Sequence, residues 1–177
     1  FLSYQCGPDL AVQAAGTLLK ETPAAAVKLE GAEAEVLAVI DRLVRMRIPV
    51  MGHWGLTPQA VHRLGYRRQA QDPVSQERLL NQAIALEQAG CFALVLEHVP
   101  SDLAGVVRHR LQIPVIGIGA GDQCGGQIRV AAELLGLTEQ QPPFGPALIP
   151  GKQLFVEALR TWVAAQTPTT TPPPAAP

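Results

Sequence analysis

The sequence predicts an α/β protein in which short apolar strands alternate with amphipathic helices, and two observations carry this prediction. Apolar runs of strand length alternate along the chain with longer segments in which apolar residues recur at helical spacing. The strands are continuous apolar runs, which is typical of parallel sheets that helices cover. We therefore expect right-handed βαβ units and a parallel sheet.

The predicted helices have the periodicity and the terminal residues of helices. The segment at 32–46 carries acids early and arginine late, as the helix dipole favours. The next helix is predicted to be capped by Ser75 and to end at Gly90. In chain order, the predicted helices lie at 8–21, 32–46, 75–90, 100–112 and 151–165.

The predicted strands are the short apolar runs between these helices. The most apolar of them is "CFALVLEHV" at 91–99. The segment at 126–137 is ambiguous and fits a last strand that runs into a short helix. In chain order, the four predicted strands before this segment lie at 24–30, 48–55, 91–99 and 113–121.

Polar side chains or glycines mark the ends of four successive strands, where parallel α/β folds carry their chemistry. They are Lys28 and Glu30, then His53, then Glu97, then the glycines of "GIGAG" at 117–121. An open nucleotide-binding sheet would carry its glycine cluster after the first strand, whereas this cluster comes late. A TIM (β/α)8 barrel fits better, but a whole barrel needs about 250 residues. We therefore predict an N-terminally truncated portion of a barrel, with about the last five βα units.

The chain is predicted to have three parts. Residues 1–150 form the barrel portion, 151–165 form a C-terminal amphipathic helix, and the Pro/Thr-rich tail at 166–177 is disordered. Because the chain opens on Phe1 rather than a methionine, we expect it to be a piece of something longer.

Composition excludes several classes of function. A net charge of -1 and the absence of a basic stripe give no reason to expect nucleic acid. The longest apolar runs are interrupted before about 18 residues, so we expect no membrane span. The cysteines form no CxxC pair, which indicates reduced thiols in the cytosol.

The residues alone leave alternatives open at each strand end. Lys28 and Glu30 face the same side of a strand, so they either pair with each other or enter a site. Glu97 follows the apolar run "FALVL", so its carboxylate must be paired, protonated or bound to something. His53 fits a core histidine bonded to backbone better than a metal ligand, and "GIGAG" either cradles a phosphate or permits a tight turn. The remaining histidines are expected on the surface: His62, His98 and His109.

Four sequence blocks together resemble one family. They are "VKLEG", "PVMGHWGLTPQ", "ALEQAGCFALVLEHVP" and "IPVIGIGAG" with "GQI", and the resemblance covers about residues 1–137. In this order and spacing they closely resemble ketopantoate hydroxymethyltransferase. That family has a (β/α)8 barrel and uses Mg²⁺ and 5,10-methylenetetrahydrofolate. Its reaction transfers a hydroxymethyl group to 3-methyl-2-oxobutanoate and gives ketopantoate, the first committed step towards pantothenate.

The resemblance implies roles for the four polar residues. Glu30 matches a metal-ligand carboxylate, Lys28 a contact to the keto acid, and Glu97 the catalytic base, while His53 matches a histidine beside the active site. Two further Asp ligands of the family would lie before Phe1, so the chain alone is expected to be inactive. The resemblance also implies a cytoplasmic homo-oligomer, which is decameric in well-known members.

The chain departs from the family pattern in the loop after "GIGAG", where Gly125 stands in place of the usual Asp. Two other interpretations remain beside the transferase. One is a Mg²⁺-dependent 2-oxo-acid barrel enzyme of the phosphoenolpyruvate mutase or lyase type. The other is an inactive, truncated subunit.

Overall fold

A computed structural model describes residues 2–166 of the chain, with alternating strands and helices. The strands are β1 (Val27–Glu30), β2 (Val50–Gly55), β3 (Ala93–Glu97), β4 (Val115–Ile118) and β5 (Gly126–Gln127). The α-helices are α1 (Pro8–Glu21), α2 (Ala34–Arg45), α3 (Val61–Leu64), α4 (Pro73–Gln88), α5 (Ser101–Arg110), α6 (Ala131–Leu134) and α7 (Gly151–Gln166). A 3-10 turn at Pro58–Ala60 precedes α3.

The five strands form one parallel sheet in which neighbours in sequence are neighbours in space, in the order β1-β2-β3-β4-β5. A doubly wound sheet would reverse its strand order at a switch point, whereas a barrel continues in one direction. The parallel α/β prediction is confirmed, and the sequential order is that of a barrel portion.

The register of the strands separates an apolar face from a polar one. Side chains such as Leu29, Leu94 and Leu96 belong to the buried core that the helices cover. Residues one position away in each strand point to the opposite face. That opposite face carries Lys28 and Glu30 on β1, His53 on β2 and Glu97 on β3, because Glu30 is in register with His53 and Gly55 with Glu97.

Helix α4 begins earlier than the sequence analysis predicted. Its N-cap is Asp72, whose carboxylate accepts a hydrogen bond of 3.0 Å from the Ser75 backbone N–H. The Ser75 hydroxyl in turn accepts from the backbone N–H of Asp72, so Ser75 completes a capping box at the third helical position. The hydrogen bond from Ser75 lowers the pKa of the exposed Asp72 carboxyl. The prediction of Ser75 as the cap is therefore wrong by three residues.

The chain divides into two compact units after Ile128. The first unit contains the sheet, and the second contains α6 and α7. The division at residue 150 from the sequence analysis stays a prediction. Of the predicted tail at 166–177, Gln166 ends α7 and the rest lies outside the described residues. Within residues 2–166, no helix is long and apolar enough to cross a membrane.

Candidate functional site

A chain of three side chains crosses the polar face of the sheet from β1 to β3. Lys28 Nζ lies 2.8 Å from His53 Nδ1, and His53 Nε2 lies 3.1 Å from Glu97 Oε2. His53 is 2% exposed and Glu97 is 8% exposed, whereas Lys28 is exposed. The three residues come from three neighbouring strands, so the parallel register brings them together.

The contacts of His53 define which ring nitrogen carries the proton. A lysine ammonium has three N–H donors and no acceptor, so His53 Nδ1 must accept from Lys28. The neutral imidazole then carries its proton on Nε2, which donates towards Glu97 Oε2 and towards the Leu56 carbonyl oxygen at 3.1 Å. The result is a line of cation, neutral ring and carboxylate. The bond to Leu56 also fulfils the expectation that His53 contacts backbone.

Glu30 makes different contacts from its neighbour Lys28. Its Oε2 accepts a 2.8 Å hydrogen bond from the Gln59 backbone N–H. The Tyr4 hydroxyl donates to the Glu30 carbonyl at 3.0 Å and accepts from the Glu30 N–H at 3.1 Å. Burial raises the pKa of the Tyr4 phenol, which stays a donor at neutral pH. The ion pair between Lys28 and Glu30 that the sequence left open does not form among the described contacts.

Gly55 allows the segment after β2 to lie directly against the end of β3. It adopts a φ of 99°, and a Cβ there would collide with the Glu97 carbonyl oxygen. The Leu56 N–H donates to that same oxygen at 2.8 Å. Only glycine accommodates both the positive φ and this approach. Gly55 therefore allows the Leu56 backbone to lie beside both Glu97 and the His53 ring.

The "GIGAG" segment makes a tight turn in this structure. Gly121 has a φ of 76°, and a Cβ there would collide with Ser101. The Gln127 side-chain amide donates to the Gly121 carbonyl at 2.8 Å and closes the loop. These contacts favour the turn interpretation over the phosphate cradle. Gly125 has ordinary space around it, since a Cβ there would lie 3.8 Å from Arg108 Nε and 3.4 Å from the Val115 carbonyl.

The described residues do not by themselves form a metal site. Between residues 2 and 166, no group of three or more His, Cys, Asp or Glu side chains could hold a metal ion. Glu30 supplies a carboxylate, and one of its oxygens already accepts from Gln59. Since Mg²⁺ is held mainly by anionic oxygen ligands and water, Glu30 can provide one ligand only.

The prediction that His98 lies on the surface is wrong. His98 is buried, and it directly follows Glu97 in a left-handed conformation with a φ of 51°. Burial and the nearby Arg68 lower the pKa of His98. Its backbone N–H donates to Ile118 O and its carbonyl accepts from Gln69, so the residue joins β3 to β4 at the end that carries Glu97.

Sequence reasoning missed three groups that hold the candidate site together: the Tyr4 hydroxyl, the Gln59 N–H and the Leu56 carbonyl. Two of them are backbone groups, which no side-chain pattern reveals. The sequence did indicate the segment that supplies two of these groups, because Leu56 and Gln59 both lie in the block "GHWGLTPQ". Within that block, only His53 was predicted to lie at the site.

Comparison with known proteins gives the family. The pattern of ketopantoate hydroxymethyltransferase matches residues 1–173. The chain belongs to the ketopantoate hydroxymethyltransferase family. The 3-methyl-2-oxobutanoate hydroxymethyltransferase of Parasynechococcus marenigrum (strain WH8102) is 90% identical over 177 residues, which are 100% of this chain and 66% of the relative. The enzyme of the same name from Synechococcus sp. (strain CC9902) is 71% identical, over 100% of this chain and 67% of the relative.

This ketopantoate hydroxymethyltransferase family member spans about two thirds of the length of these curated relatives. The structure is also similar to 2,3-dimethylmalate lyase, a member of the PEP mutase/isocitrate lyase superfamily. That likeness has a TM-score of 0.47 and 14% identity, over 94% of this chain and 61% of the other. A likeness at this level carries no argument about function. The phosphoenolpyruvate-type alternative is therefore supported only by a distant structural relationship.

Proposed function

We propose that the chain is the larger part of an enzyme that transfers a hydroxymethyl group from 5,10-methylenetetrahydrofolate to 3-methyl-2-oxobutanoate. The product is 2-dehydropantoate, also called ketopantoate. Family membership supports the reaction. The single structural observation that carries the proposal is the line Lys28–His53–Glu97, which places a buried carboxylate next to a ring and a cation on the polar face.

Glu97 is the proton acceptor in this proposal. Its carboxylate takes the proton from C3 of the keto acid, and the electrons of that C–H bond form the enolate. The enolate carbon then forms a bond to the methylene carbon of the donor, both C–N bonds of that carbon break so that tetrahydrofolate leaves, and water supplies the oxygen of the hydroxymethyl group. The His53 Nε2–H bond holds one carboxylate oxygen in a fixed orientation. Because Glu97 is buried, few waters compete for the carboxylate, which supports a role as base.

Lys28 binds the keto acid in this proposal. It is exposed on the polar face and carries a positive charge beside the ring of His53. An ammonium there attracts the substrate carboxylate and stabilises the negative charge that develops on the enolate. The bond to His53 Nδ1 also keeps the proton of the ring on Nε2, which faces Glu97.

Glu30 provides one ligand of a Mg²⁺ ion in this proposal, and the remaining protein ligands come from outside the described residues. When bound, the ion would withdraw charge from the keto oxygen. The half-buried carboxylate fits this role through the oxygen that does not accept from Gln59. By resemblance, the complete enzyme is a cytoplasmic homo-oligomer.

The test of the function uses this chain extended by the part of the 90% identical relative that it does not cover. With Mg²⁺, methylenetetrahydrofolate and 3-methyl-2-oxobutanoate, we expect steady ketopantoate formation from the extended protein and none from residues 1–177 alone. No product from the extended, folded protein would refute the proposed reaction. Steady turnover by residues 1–177 would refute the inference that these residues lack part of the metal site.

Separate binding measurements distinguish Glu30 from Lys28. Glu30→Gln should weaken Mg²⁺ binding to the extended protein about tenfold or more, because Mg²⁺ prefers an anionic oxygen. Lys28→Met should weaken keto-acid binding and leave Mg²⁺ affinity unchanged or higher. Glu35→Gln and Lys20→Met change the same charges at exposed positions and serve as controls. Equal binding by all four variants would contradict both roles.

A further inference from the structure

His98 makes a left-handed turn directly after Glu97, and no step of the proposed reaction uses it. Its φ is 51°, in a region that residues other than glycine adopt rarely, although histidine is among those that adopt it more often. Such a conformation persists only where the surrounding structure holds it, and it is concentrated at functional sites. The contacts that hold His98 therefore indicate what the turn does.

Both peptide groups of His98 are held by neighbouring segments. In the peptide group before it, the Glu97 carbonyl accepts from the Leu56 N–H at 2.8 Å. The N–H of the same peptide group, which belongs to His98, donates to the Ile118 carbonyl at 2.9 Å. In the peptide group after it, the His98 carbonyl accepts from the Gln69 N–H at 2.9 Å. The turn is thus tied to the segment after β2, to the end of β4 and to the loop before α4.

The imidazole of His98 makes a fourth contact. The residue is 9% exposed, and its ring donates a hydrogen bond to the backbone carbonyl of Gly119, the first residue after β4. Burial and the nearby Arg68 lower the pKa of His98, so the ring is neutral at pH 7. A neutral ring can hold the turn without adding a positive charge beside Glu97.

The direction of the Glu97 side chain depends on this turn. The Cα–Cβ bond of a strand residue takes its direction from the backbone on both sides of it. One of the two peptide groups of Glu97 is shared with His98 and is held on both edges, by Leu56 and by Ile118. Glu97 Oε2 lies 3.1 Å from His53 Nε2, so a rotation of this peptide group would lengthen or break that contact.

We propose that His98 is a positioning residue for Glu97, and that its left-handed turn and its ring contact to Gly119 hold the carboxylate in one orientation against His53. The inference rests on the proposed function for the role of Glu97 as proton acceptor. A base must lie within hydrogen-bond reach of the proton that it removes, and a displacement of about 1 Å can lower a rate about 100-fold.

The first test measures hydrogen–deuterium exchange at C3 of 3-methyl-2-oxobutanoate by the extended protein with Mg²⁺, over a range of keto-acid concentrations. His98→Ala removes the ring, and the variant should fold because Ala70 adopts a φ of 52° in the same chain. Its exchange rate at saturating keto acid should fall about tenfold or more, while the half-saturating concentration changes less than about twofold. His109→Ala, which removes an exposed histidine on α5, should exchange at the unmodified rate.

Two further variants separate positioning from general damage to the fold. His98→Asn should recover the rate to within about threefold of the unmodified protein, because asparagine adopts left-handed conformations and its amide can donate to Gly119. If His98 acts through Glu97, adding His98→Ala to Glu97→Gln should change the residual exchange by less than about twofold. A tenfold loss in that background, an asparagine variant no faster than His98→Ala, or an effect on half-saturation alone would overturn the proposal.

Unfolding of the extended protein in urea gives a measurement that requires no turnover. His53→Leu removes the donor to Glu97, and Glu97→Met then removes the buried charge, so the second change should raise the urea midpoint of the first. In the His98→Ala background this increase should shrink by half or more, because a carboxylate that is no longer held can turn towards water. An undiminished increase would overturn the proposal. This result does not depend on whether the unmodified protein catalyses exchange, so the role of His98 and the proposed reaction can fail separately.

Discussion

Replacement of His53 by leucine tests whether the Lys28–His53–Glu97 line is a physical unit. The substitution places an apolar side chain of similar size in a position that is 2% exposed. It removes the N–H that faces Glu97 Oε2 and the Leu56 carbonyl. Glu97, itself 8% exposed, would then be a buried carboxylate without its partner.

The expected loss in the free energy of unfolding follows from the two buried groups that lose the His53 N–H donor, the Glu97 carboxylate and the Leu56 carbonyl. An unsatisfied buried polar group costs about 1–3 kcal/mol and a charged one costs more, so the loss of the His53 donor to the Glu97 carboxylate should cost about 3 kcal/mol. The Leu56 carbonyl contributes to this loss, because an unsatisfied buried acceptor costs about 1–3 kcal/mol. If Glu97 is also replaced by methionine, the buried charge is gone, and His53→Leu/Glu97→Met should recover about 2 kcal/mol or more. Lys28→Met should cost less than about 1 kcal/mol, because Lys28 is exposed.

The assay is urea denaturation at pH 7, followed by circular dichroism, with the free energy of unfolding compared as a double-mutant cycle. We expect the double variant to be more stable than His53→Leu alone. Losses that simply add, or a loss below about 1 kcal/mol for His53→Leu, would refute the coupling between His53 and Glu97.

Two further predictions concern glycine and cysteine residues. Gly55→Ala should destabilise the chain by about 1–3 kcal/mol, because its φ of 99° and the approach of the Glu97 carbonyl oppose a Cβ, whereas Gly125→Ala should change stability by less than about 1 kcal/mol. Equal urea midpoints for the two variants would contradict this. In thiol titration at pH 8, the exposed Cys6 should react within minutes, while burial raises the pKa of Cys91 to about 12 and leaves it unreactive until the chain unfolds. Fast reaction of Cys91 in the folded chain would be the opposing result.

The sequence predicted the sheet because its strands are strongly patterned. The run that forms β3 is buried on both faces, which is why an uninterrupted apolar segment identified it without periodicity. The alternation of strands and helices likewise determined that all strand pairs are parallel. The same pattern placed Lys28 and Glu30 on one face, since the period of a strand is two residues.

What the sequence did not reveal depends on backbone groups and long-range contacts. The Tyr4 hydroxyl reaches Glu30 from 26 positions away in the chain, which no local pattern encodes. The sequence predicts His98 at the surface, yet His98 is buried in a left-handed conformation, and its backbone N–H donates to Ile118 at the end of β4. The partner of Glu97 was not predicted either, because a carboxylate at a strand end can meet any neighbour that the register supplies.

The central claim is that Glu97 accepts a proton from the keto acid. The most direct measurement is hydrogen–deuterium exchange at C3 of 3-methyl-2-oxobutanoate in D₂O, followed by NMR with the extended protein and Mg²⁺ in the absence of folate. Glu97→Gln keeps the shape of the side chain and removes the base, so exchange should fall about 100-fold or more. Glu77→Gln, at an exposed position on α4, should exchange at the unmodified rate. Exchange by Glu97→Gln at that same rate would contradict the account.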